Sequence, residues 1–324
     1  MIKIFVEGSK SKGLGHIVRS LTIYEYFWKH QEEINVYADV DEMGRKYLAN
    51  NLIATNLIIA NWQNLAYIKE NIQKSDIVII DSYHISYEAI ELFKYHAKTC
   101  IIIDDLQRLN YQNLIILNPN QFGKEVQYDQ SNIILAGGEF ALVRESFLQK
   151  SKTTIAKKVK KVLVSFGGTD VNNLTGKILT FLTRLPATFD IQVVIGAGAT
   201  IPEFLKENNQ EAIQFFHNIN GEEMARLLGG CDFVISAAGQ AINEIVLTKT
   251  PSALCAVVEN QERNLNYLAR QKGCITFTET NFQPIYSLFA YEIRKQIYDN
   301  LSNYNLQTTG AKELYNYLKE RKVI

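Results

Sequence analysis

Short runs rich in isoleucine and valine recur along the chain, and each is followed by a polar turn and a longer stretch with helical spacing. This alternation of strand and helix is the pattern of a parallel α/β sheet. The runs are apolar at almost every position, which is typical of strands that helices cover on both faces. The pattern predicts strands in the first half at 2–6, 34–38, 56–59, 76–80, 100–103 and 114–117, and in the second half at 161–166, 191–195, 213–216, 233–236, 253–257 and 274–278.

The pattern occurs once in each half of the chain, which predicts two Rossmann-like parallel-sheet domains that face each other across a cleft. A polar, lysine-rich stretch over residues 150–161 separates them, so we expect domains at 1–150 and 151–324. The last helical stretch carries Ala311 and Leu314 on one apolar face. We expect this helix to pack across the domain boundary, back on the N-terminal domain.

Composition excludes several classes of partner. The 34 basic and 34 acidic residues cancel, which removes the electrostatic footprint of a protein that binds nucleic acid or an anionic membrane mainly by charge. No apolar run approaches the ~18 residues of a membrane span, and the N-terminus lacks an export signal. We therefore expect a cytoplasmic protein with a small-molecule substrate and neither a nucleic-acid nor a membrane partner.

The four cysteines are widely separated, and none forms a C-x-x-C pair. Neither a zinc site nor a redox motif is therefore indicated. Buried free thiols are the expected state. The sequence accordingly predicts no metal ion and no cofactor.

The turn after the first strand carries the first candidate chemistry, Gly13-Leu14-Gly15-His16. Helical spacing begins at Ile17, which places His16 in the first turn of a helix. The helix dipole there favours anions and disfavours an imidazolium, so we expect His16 to be neutral near pH 7 and able to accept a proton. The turn fits a dinucleotide fingerprint or a Walker loop poorly, whereas a histidine that only caps and packs remains an alternative.

Polar side chains also follow two other strands of the first half. Asp81, Tyr83 and His84 lie close together after one strand, where ligands bind in open α/β sheets. Asp104 and Asp105 follow the next strand, and there turn capping is favoured over catalysis. Paired carboxylates suit a glycosidase because one of them protonates a poor leaving group. A nucleoside diphosphate leaves without that help, so one base to activate water would be enough.

Two turns of the second half can offer backbone amides to a phosphate, one at Gly167-Gly168 and one at Ala237-Ala238-Gly239. Glu244 lies one turn into the helix after the second of these turns, within reach of a ribose if a diphosphate occupies the helix start. Asn260-Gln261 opens a later helix. A solvated surface role for Glu244 and ordinary helix capping by Asn260-Gln261 remain open alternatives on the residues alone.

Together these segments resemble the family of UDP-sugar hydrolases of pseudaminic acid biosynthesis, the UDP-2,4-diacetamido-2,4,6-trideoxy-β-L-altropyranose hydrolases. The resemblance covers most of the chain, and the order and spacing of its motifs make it specific. The motifs are Gly13-x-Gly15-His16-x-x-Arg19, Ile80-Asp81-x-Tyr83, Ile103-Asp104-Asp105-Leu106, Gly138-x-x-Ala141-Leu142-x-Arg144-x-x-Phe147, Ser165-Phe166-Gly167-Gly168-Thr169-Asp170-x-x-Asn173-Leu174, Ser236-Ala237-Ala238-Gly239 with Glu244, and Asn260-Gln261.

The resemblance implies the glycosyltransferase B fold, with catalysis and the sugar in the N-terminal domain and UDP in the C-terminal one. It implies that His16 activates water at the anomeric carbon with Tyr83 beside the sugar, and that Glu244 binds the ribose. It further assigns Gly13, Gly15, Arg19, Asp81, Asn260 and Gln261 to the substrate, and Gly167, Gly168, Thr169, Ala237, Ala238 and Gly239 to UDP.

The implied reaction cleaves the C1–O bond of a UDP-activated diacetamido-trideoxy hexose with inversion and without a metal ion. A glycosyltransferase that uses an acceptor hydroxyl in place of water is the main alternative, and a catalytically silent nucleotide-sugar binding protein is another. The chain departs from the family at Glu7-Gly8-Ser9-Lys10, where members commonly have R-x-D, and at Asp81-Ser82-Tyr83-His84, where they often have D-H-Y-G. Both departures fall on the expected sugar side, so a related amino sugar also fits.

Overall fold

The structure is a computed structural model of the 324-residue chain. Its contacts divide the chain into unit 1, which comprises Met1–Val143 and Thr308–Ile324, and unit 2, which comprises Arg144–Gln307. It describes all residues except 10–13, 53, 168, 169, 171, 187, 197–211, 218 and 305.

The described residues of unit 1 form a seven-stranded parallel sheet with helices on both faces. The strands are β1 (Ile2–Gly8), β2 (Ile34–Val40), β3 (Leu57–Ile59), β4 (Ile77–Asp81), β5 (Thr99–Ile103), β6 (Ile115–Asn118) and β7 (Ile133–Ala136). The helices are α1 (Gly15–Lys29), α2 (Glu42–Asn51), α3 (Leu65–Asn71), α4 (Tyr87–His96) and a C-terminal helix (Gly310–Glu320). The order across the sheet is β3-β2-β1-β4-β5-β6-β7.

The central strand β1 is buried along its whole length, which explains its continuous apolar sequence. Ile4 packs in a cluster with Leu21 of α1 and Leu314 of the C-terminal helix. Phe5 points to the opposite face, because successive strand residues alternate, and its ring lies 4.8 Å from that of Phe93 of α4. Two helical layers therefore enclose the sheet around the strands that carry the candidate site.

The edge strand β7 was not predicted from the sequence. It pairs on one side with β6, and Ile133 and Ile134 at its start are 46% and 40% exposed. The run is only four residues long and is followed by a 3₁₀ turn, Gly138–Phe140, instead of a long helical stretch. The helix that follows strands such as β1, β2 and β4 is missing here.

The lysine-rich stretch expected to separate the domains is attached to unit 2. Lys152 donates from its backbone nitrogen to Thr248 O at 3.0 Å, and its Nζ donates to the carbonyl oxygens of Gly229 and Cys231 at 2.6 Å each. Burial lowers the pKa of Lys152. The chain leaves unit 1 earlier, after Val143, and the C-terminal helix belongs to unit 1.

The described residues of unit 2 form a six-stranded parallel sheet in the order β10-β9-β8-β11-β12-β13. Its strands are β8 (Lys161–Ser165), β9 (Asp190–Ile195), β10 (Ile213–His217), β11 (Phe233–Ala237), β12 (Ser252–Cys255) and β13 (Ile275–Thr276). Its helices are α5 (Glu145–Gln149), α6 (Leu174–Leu182), α7 (Gly221–Gly230), α8 (Ala241–Thr248), α9 (Glu262–Arg270) and α10 (Tyr291–Ser302). Twelve strands were expected in the two halves, and each is present.

Candidate active site

Each sheet reverses its strand order at one point, and ligands bind beside such points in open α/β sheets. The reversal lies between β1 and β4 in unit 1, and between β8 and β11 in unit 2. His16 follows β1 and Asp81 ends β4, while Gly167 follows β8 and Ala237 ends β11. The fold therefore brings the residues singled out from the sequence to the carboxyl ends of the strands at these two points.

His16 is the second residue of α1, and its side chain is only 7% exposed. Its Nδ1 lies 2.6 Å from Asp81 Oδ1. Burial raises the pKa of Asp81, but Arg19 and His16 together outweigh it and lower that pKa to about 2. An ionised carboxylate only accepts hydrogen bonds, so Nδ1 carries a hydrogen toward Asp81, although Arg19 Nη2 also lies 3.1 Å from Nδ1. In the neutral ring, Nε2 is then an acceptor.

Arg19, one turn further along α1, joins two carboxylates. Its Nε and Nη2 donate to the two oxygens of Asp81, and its Nη1 donates to Asp105 Oδ2, at 2.5 Å in each case. Burial lowers the pKa of Arg19, but the two carboxylates raise it by more, to well above its ordinary value. Because a two-point guanidinium–carboxylate pair fixes direction as well as distance, Arg19 holds Asp81 in the orientation that accepts from His16.

Tyr83 lies against His16, with ring centroids 4.3 Å apart and the planes at 83°. Its hydroxyl donates to Asp105 Oδ2 at 2.5 Å. Burial, and after it the charge of Asp105, raises the pKa of Tyr83 far above its ordinary value, so the phenol stays protonated. Its hydrogen is committed to Asp105, and its oxygen is therefore left as an acceptor.

Asp104 and Asp105 are adjacent but have different partners. Asp104 accepts from the Gln107 backbone nitrogen and the Tyr128 hydroxyl, both at 2.9 Å, so it caps the turn after β5. Burial also raises its pKa. Asp105 instead accepts from the guanidinium and phenol described above and from Asn120 Nδ2 at 3.0 Å. The capping interpretation holds for Asp104, whereas sequence reasoning missed the part that Asp105 plays.

Glu7, at the end of β1, holds the turn after β4. Its side chain is fully buried, and its Oε1 accepts from Ser82 Oγ at 2.8 Å, Tyr83 N at 2.9 Å and His84 Nδ1 at 2.8 Å. Gln63 Nε2 donates to the other oxygen at 3.3 Å. No periodicity links residue 7 to residues 82–84, and the contact arises from the pairing of β1 with β4.

The other residues of unit 1 that were predicted to bind the substrate differ in their exposure to solvent. Gly15 is exposed at the start of α1, and Gly13 lies outside the described residues. Arg19 is 2% exposed and Asp81 is not exposed at all. Both are engaged with each other and with His16 or Asp105, so they support His16 and present almost no surface of their own.

The first turn of unit 2 is open at Gly167. That residue is exposed, has a φ of 79° in the region that favours glycine, and has free space where a Cβ would lie. Gly168 and Thr169 lie outside the described residues. Asp170 accepts from the backbone nitrogens of Leu174 at 2.8 Å and Thr175 at 3.1 Å. The first amides of α6 are thus capped, and a phosphate at this point would depend on the turn itself.

The second turn lies against Gln261. Ala237 and Ala238 are 8% and 0% exposed, and the Ala238 amide donates to a carbonyl of β12. A Cβ at Gly239 would lie 3.3 Å from Gln261 Nε2. Asn260 is exposed beside it. The fold therefore brings together two predicted elements that are more than 20 residues apart in sequence.

Glu244 lies in the first turn of α8 and is half-buried. Burial raises its pKa to about 7, although the charge of Arg144 acts in the opposite direction. Arg144 itself packs against Gly221 at the start of α7, where it fills the space that a side chain would need. Sequence reasoning quoted Arg144 within a motif but gave it no role.

Among the residues that the structure describes, no group of three or more His, Cys, Asp or Glu side chains is arranged to hold a metal ion. The four cysteines are buried free thiols. No helix in the described part of the chain has both the length and the apolar character required to cross a membrane.

The fold matches solved structures over nearly the whole chain. The structure of Acinetobacter baumannii MurG superposes with a TM-score of 0.64 at 12% identity, and covers 98% of this chain and 99% of that one. The calicheamicin glycosyltransferase CalG4 superposes with a TM-score of 0.63 at 9% identity and covers 98% of each chain. The chain therefore has the glycosyltransferase B fold with two Rossmann-like parallel-sheet domains, as predicted.

No family model matches the chain. Individual sequence relatives are nevertheless informative about the kind of enzyme it resembles. It is 29% identical over 207 residues to the UDP-2,4-diacetamido-2,4,6-trideoxy-β-L-altropyranose hydrolase of Campylobacter jejuni, with 61% of this chain and 73% of the relative covered. It is 22% identical over 271 residues to the pseudaminic acid cytidylyltransferase and UDP-2,4-diacetamido-2,4,6-trideoxy-β-L-altropyranose hydrolase of Helicobacter pylori, with 80% and 45% covered. The resemblance to UDP-sugar hydrolases is thereby confirmed.

A further relative carries no functional name. An uncharacterized protein of Methanocaldococcus jannaschii is 27% identical over 276 residues, with 77% of this chain and 54% of the relative covered. The chain thus spans about half the length of this relative and of the one from H. pylori.

Proposed function

We propose that the chain is a hydrolase of a UDP-activated diacetamido-trideoxy hexose, UDP-2,4-diacetamido-2,4,6-trideoxy-β-L-altropyranose or a close relative, in pseudaminic acid biosynthesis. The observation that carries the proposal is the His16–Asp81 pair at the reversal point of the first sheet, which leaves Nε2 of a neutral His16 as an acceptor. The names of the relatives from C. jejuni and H. pylori support the substrate class. Only the hydrolase activity is common to both names, so it alone is extended to this chain.

In the proposed step, His16 Nε2 takes a proton from a water molecule while the water oxygen bonds to C1 of the sugar. The bond between C1 and the β-phosphate oxygen breaks, and its electron pair leaves with UDP. A single displacement inverts the configuration at C1. UDP needs no general acid, so one base is sufficient, and the buried Asp81 stabilises the imidazolium that forms.

Positioning roles for Asp81 and Arg19 fit their contacts better than direct substrate binding. Asp81 fixes the tautomer of His16, and Arg19 fixes Asp81 and Asp105. Tyr83 is beside the sugar in this proposal. Its oxygen can only accept, so it suits an N–H or O–H group of the substrate or the attacking water.

Binding of UDP is assigned to unit 2. Gly167, Gly168 and Thr169 and the turn Ala237-Ala238-Gly239 would hold the diphosphate, which the open left-handed turn at Gly167 supports. Glu244 would accept from the ribose hydroxyls. Asn260 and Gln261 would contact the sugar or the β-phosphate, and the position of Gln261 against Gly239 supports this. The proposed reaction takes place in the cytoplasm without a metal ion or cofactor.

The test is incubation of the protein with a panel of UDP-activated diacetamido and N-acetyl hexoses, with no acceptor present. We expect release of UDP and of a free sugar whose first-formed anomer, followed by NMR, is inverted. Release that strictly requires an added acceptor would identify a glycosyltransferase instead. Binding of UDP without sugar release under either condition would contradict both and indicate a binding protein.

A further inference from the structure

Two imidazole–carboxylate pairs connect the ends of β1 and β4 at the reversal point of the first sheet. His16 follows β1 and pairs with Asp81 at the end of β4. His84 follows β4 and pairs with Glu7 at the end of β1. Val6 is in register with Asp81, so Asp81 and Glu7 lie one residue apart along neighbouring strands, and their side chains leave the sheet on opposite faces.

The two pairs differ in exposure. The side chains of Asp81 and Glu7 are both fully buried, but that of His16 is 7% exposed and that of His84 is 58% exposed. Burial of His16 suits a general base, because bulk water is kept away from the site. An imidazole held in one orientation at the surface instead suits a contact with a ligand.

The contacts of Glu7 also fix the tautomer of His84. Glu7 Oε1 accepts from three donors, Ser82 Oγ, Tyr83 N and His84 Nδ1, at 2.8 to 2.9 Å. The backbone nitrogen of Tyr83 is a fixed donor, so Oε1 is an acceptor and His84 Nδ1 donates to the ionised carboxylate. In the neutral ring, Nε2 is then an acceptor. The backbone nitrogen of His84 donates to Ser82 Oγ at 3.0 Å, which further restrains the residue.

We infer that His84 is a specificity-determining residue, whose Nε2 accepts a hydrogen bond from a hydroxyl or amide N–H of the sugar, and that Glu7 is its positioning residue. The inference rests on the proposed function for the substrate class. Its physical basis is the place of His84 directly after Tyr83, on the same turn and held by the same carboxylate. Glu7 thereby fixes the position of the Tyr83 backbone and the orientation of the His84 side chain.

A purely structural role, in which Glu7 only anchors the turn, makes a different prediction. Such an anchor depends on the hydrogen bonds from Ser82 and Tyr83 to Glu7, and the loss of His84 Nε2 would not change it. The variant His84→Asn separates the two roles, because the asparagine Nδ2 can replace Nδ1 as a donor to Glu7 while nothing replaces Nε2. His30→Asn is the matched control. His30 is also exposed, and its Nδ1 lies 2.7 Å from the backbone carbonyl oxygen of Tyr26. It follows the last residue of α1, far along the helix from His16.

The experiment compares kcat/KM of the wild type and both variants for the best UDP-sugar of the panel and for analogues that each lack one hydroxyl or acetamido group. We expect His84→Asn to lower kcat/KM roughly threefold to tenfold for the full substrate, mainly through KM, as loss of one neutral hydrogen bond implies. For the one analogue that lacks the contacted group, the variant and the wild type should be equal. An equal loss on every analogue, or no loss on any, would overturn the inference.

A binding measurement keeps this test separate from the test of catalysis. Calorimetry with UDP and with the UDP-sugar, in protein that carries His16→Ala, should show that His84→Asn weakens the UDP-sugar and leaves UDP unchanged. That result together with no sugar release by the wild type would support the role of His84 in recognition and contradict the hydrolase. Unchanged affinity for the UDP-sugar would contradict the role of His84 whatever the wild type catalyses.

Discussion

The hydroxyl of Tyr83 donates to Asp105 Oδ2 at a distance of 2.5 Å, and the same oxygen accepts from the guanidinium of Arg19. Through this one atom, the phenol that lies against His16 is tied to the guanidinium that holds the carboxylate partner of His16. The five side chains form a closed ring of contacts, and a change at one position is therefore expected to alter the others.

Asp105→Asn tests this coupling. The variant removes the charge that binds Arg19 and weakens the bond from the Tyr83 hydroxyl, so we expect kcat to fall roughly tenfold through misplacement of both groups. Measured alone and together with Tyr83→Phe, the two changes should be strongly non-additive. Asp104→Asn is the control, because it alters the adjacent carboxylate, whose partner is Tyr128. Equal losses in the two asparagine variants would contradict a specific role for Asp105.

The proposed role of His16 as general base gives a second prediction. His16→Ala should lower kcat by about 10²- to 10⁴-fold, the usual contribution of a general base, while affinity for UDP is largely kept. Asp81→Asn should lower kcat to a similar extent, because an amide nitrogen facing Nδ1 would favour the tautomer with the hydrogen on Nε2. Steady-state kinetics with UDP titrations measures both effects. Turnover at the wild-type rate in His16→Ala would exclude the assigned role.

Acid should weaken unit 1 through Asp81. Its pKa is about 2 in the folded protein against an ordinary value of 3.8, so its stabilising effect is present above pH 4 and is lost as the pH falls towards 2. The shift corresponds to about 2 kcal/mol. Urea unfolding followed by tryptophan fluorescence reports on unit 1, because both tryptophans, Trp28 and Trp62, lie there.

The matching variant gives the contrast for this pH dependence. Asp81→Asn should be less stable than the wild type at pH 7, and the difference should shrink as the pH is lowered from 4 to 2. A difference that does not depend on pH would show that the charge of Asp81 adds nothing to the stability of unit 1.

Glu244 should have the opposite dependence on pH. Burial raises its pKa from 4.5 to about 7, so the folded state binds the proton more tightly and ionisation destabilises unit 2 as the pH rises from about 4.5 through 7. Glu244→Gln should therefore stabilise unit 2 at pH 8, by on the order of 1 kcal/mol after discounting for partial exposure, and should be neutral at pH 4. Hydrogen exchange of amides in α8 measures this locally.

The variant Glu244→Ala tests the ribose contact. It should lower the affinity for UDP and affect the affinity for 2′-deoxy-UDP less, because it removes the carboxylate that is proposed to accept from the ribose hydroxyls. Isothermal titration of both nucleotides against both proteins separates the contact from a general loss of binding. Equal affinity of the variant and the wild type for UDP would remove Glu244 from the ribose site.

Fold class was predictable because central strands such as β1, β4 and β11 are buried along their whole length and are each followed by a helix. This pattern is visible in the residues themselves. β7 was not, since Ile133–Ala136 is a short edge strand followed by a 3₁₀ turn. The attachment of Lys152 to unit 2 could not be predicted either. The sequence does not distinguish a lysine whose Nζ donates to two carbonyl oxygens from a lysine in a solvated linker.

The candidate site was predictable where a polar residue lies at the end of a strand or in the segment before the next helix, as for His16, Asp81 and Tyr83. It was not predictable where partners come from different strands. The bonds from Glu7 to residues 82–84 and from Asp105 to Arg19 depend on which strands are neighbours, and the choice between Asp104 and Asp105 depends on the direction of the chain at the end of β5. Periodicity carries neither kind of information.

The helix at Gly310–Glu320 has a consequence for biosynthesis. Leu314 and Leu318 are fully buried in the core of unit 1, yet they are translated after all of unit 2. During synthesis, part of the apolar face of the first sheet therefore stays uncovered until this helix has been translated. Unit 2, Arg144–Gln307, is formed by one contiguous segment and can fold before that. His16 is therefore made before unit 2, and the helix that covers the same face of the sheet is made after it.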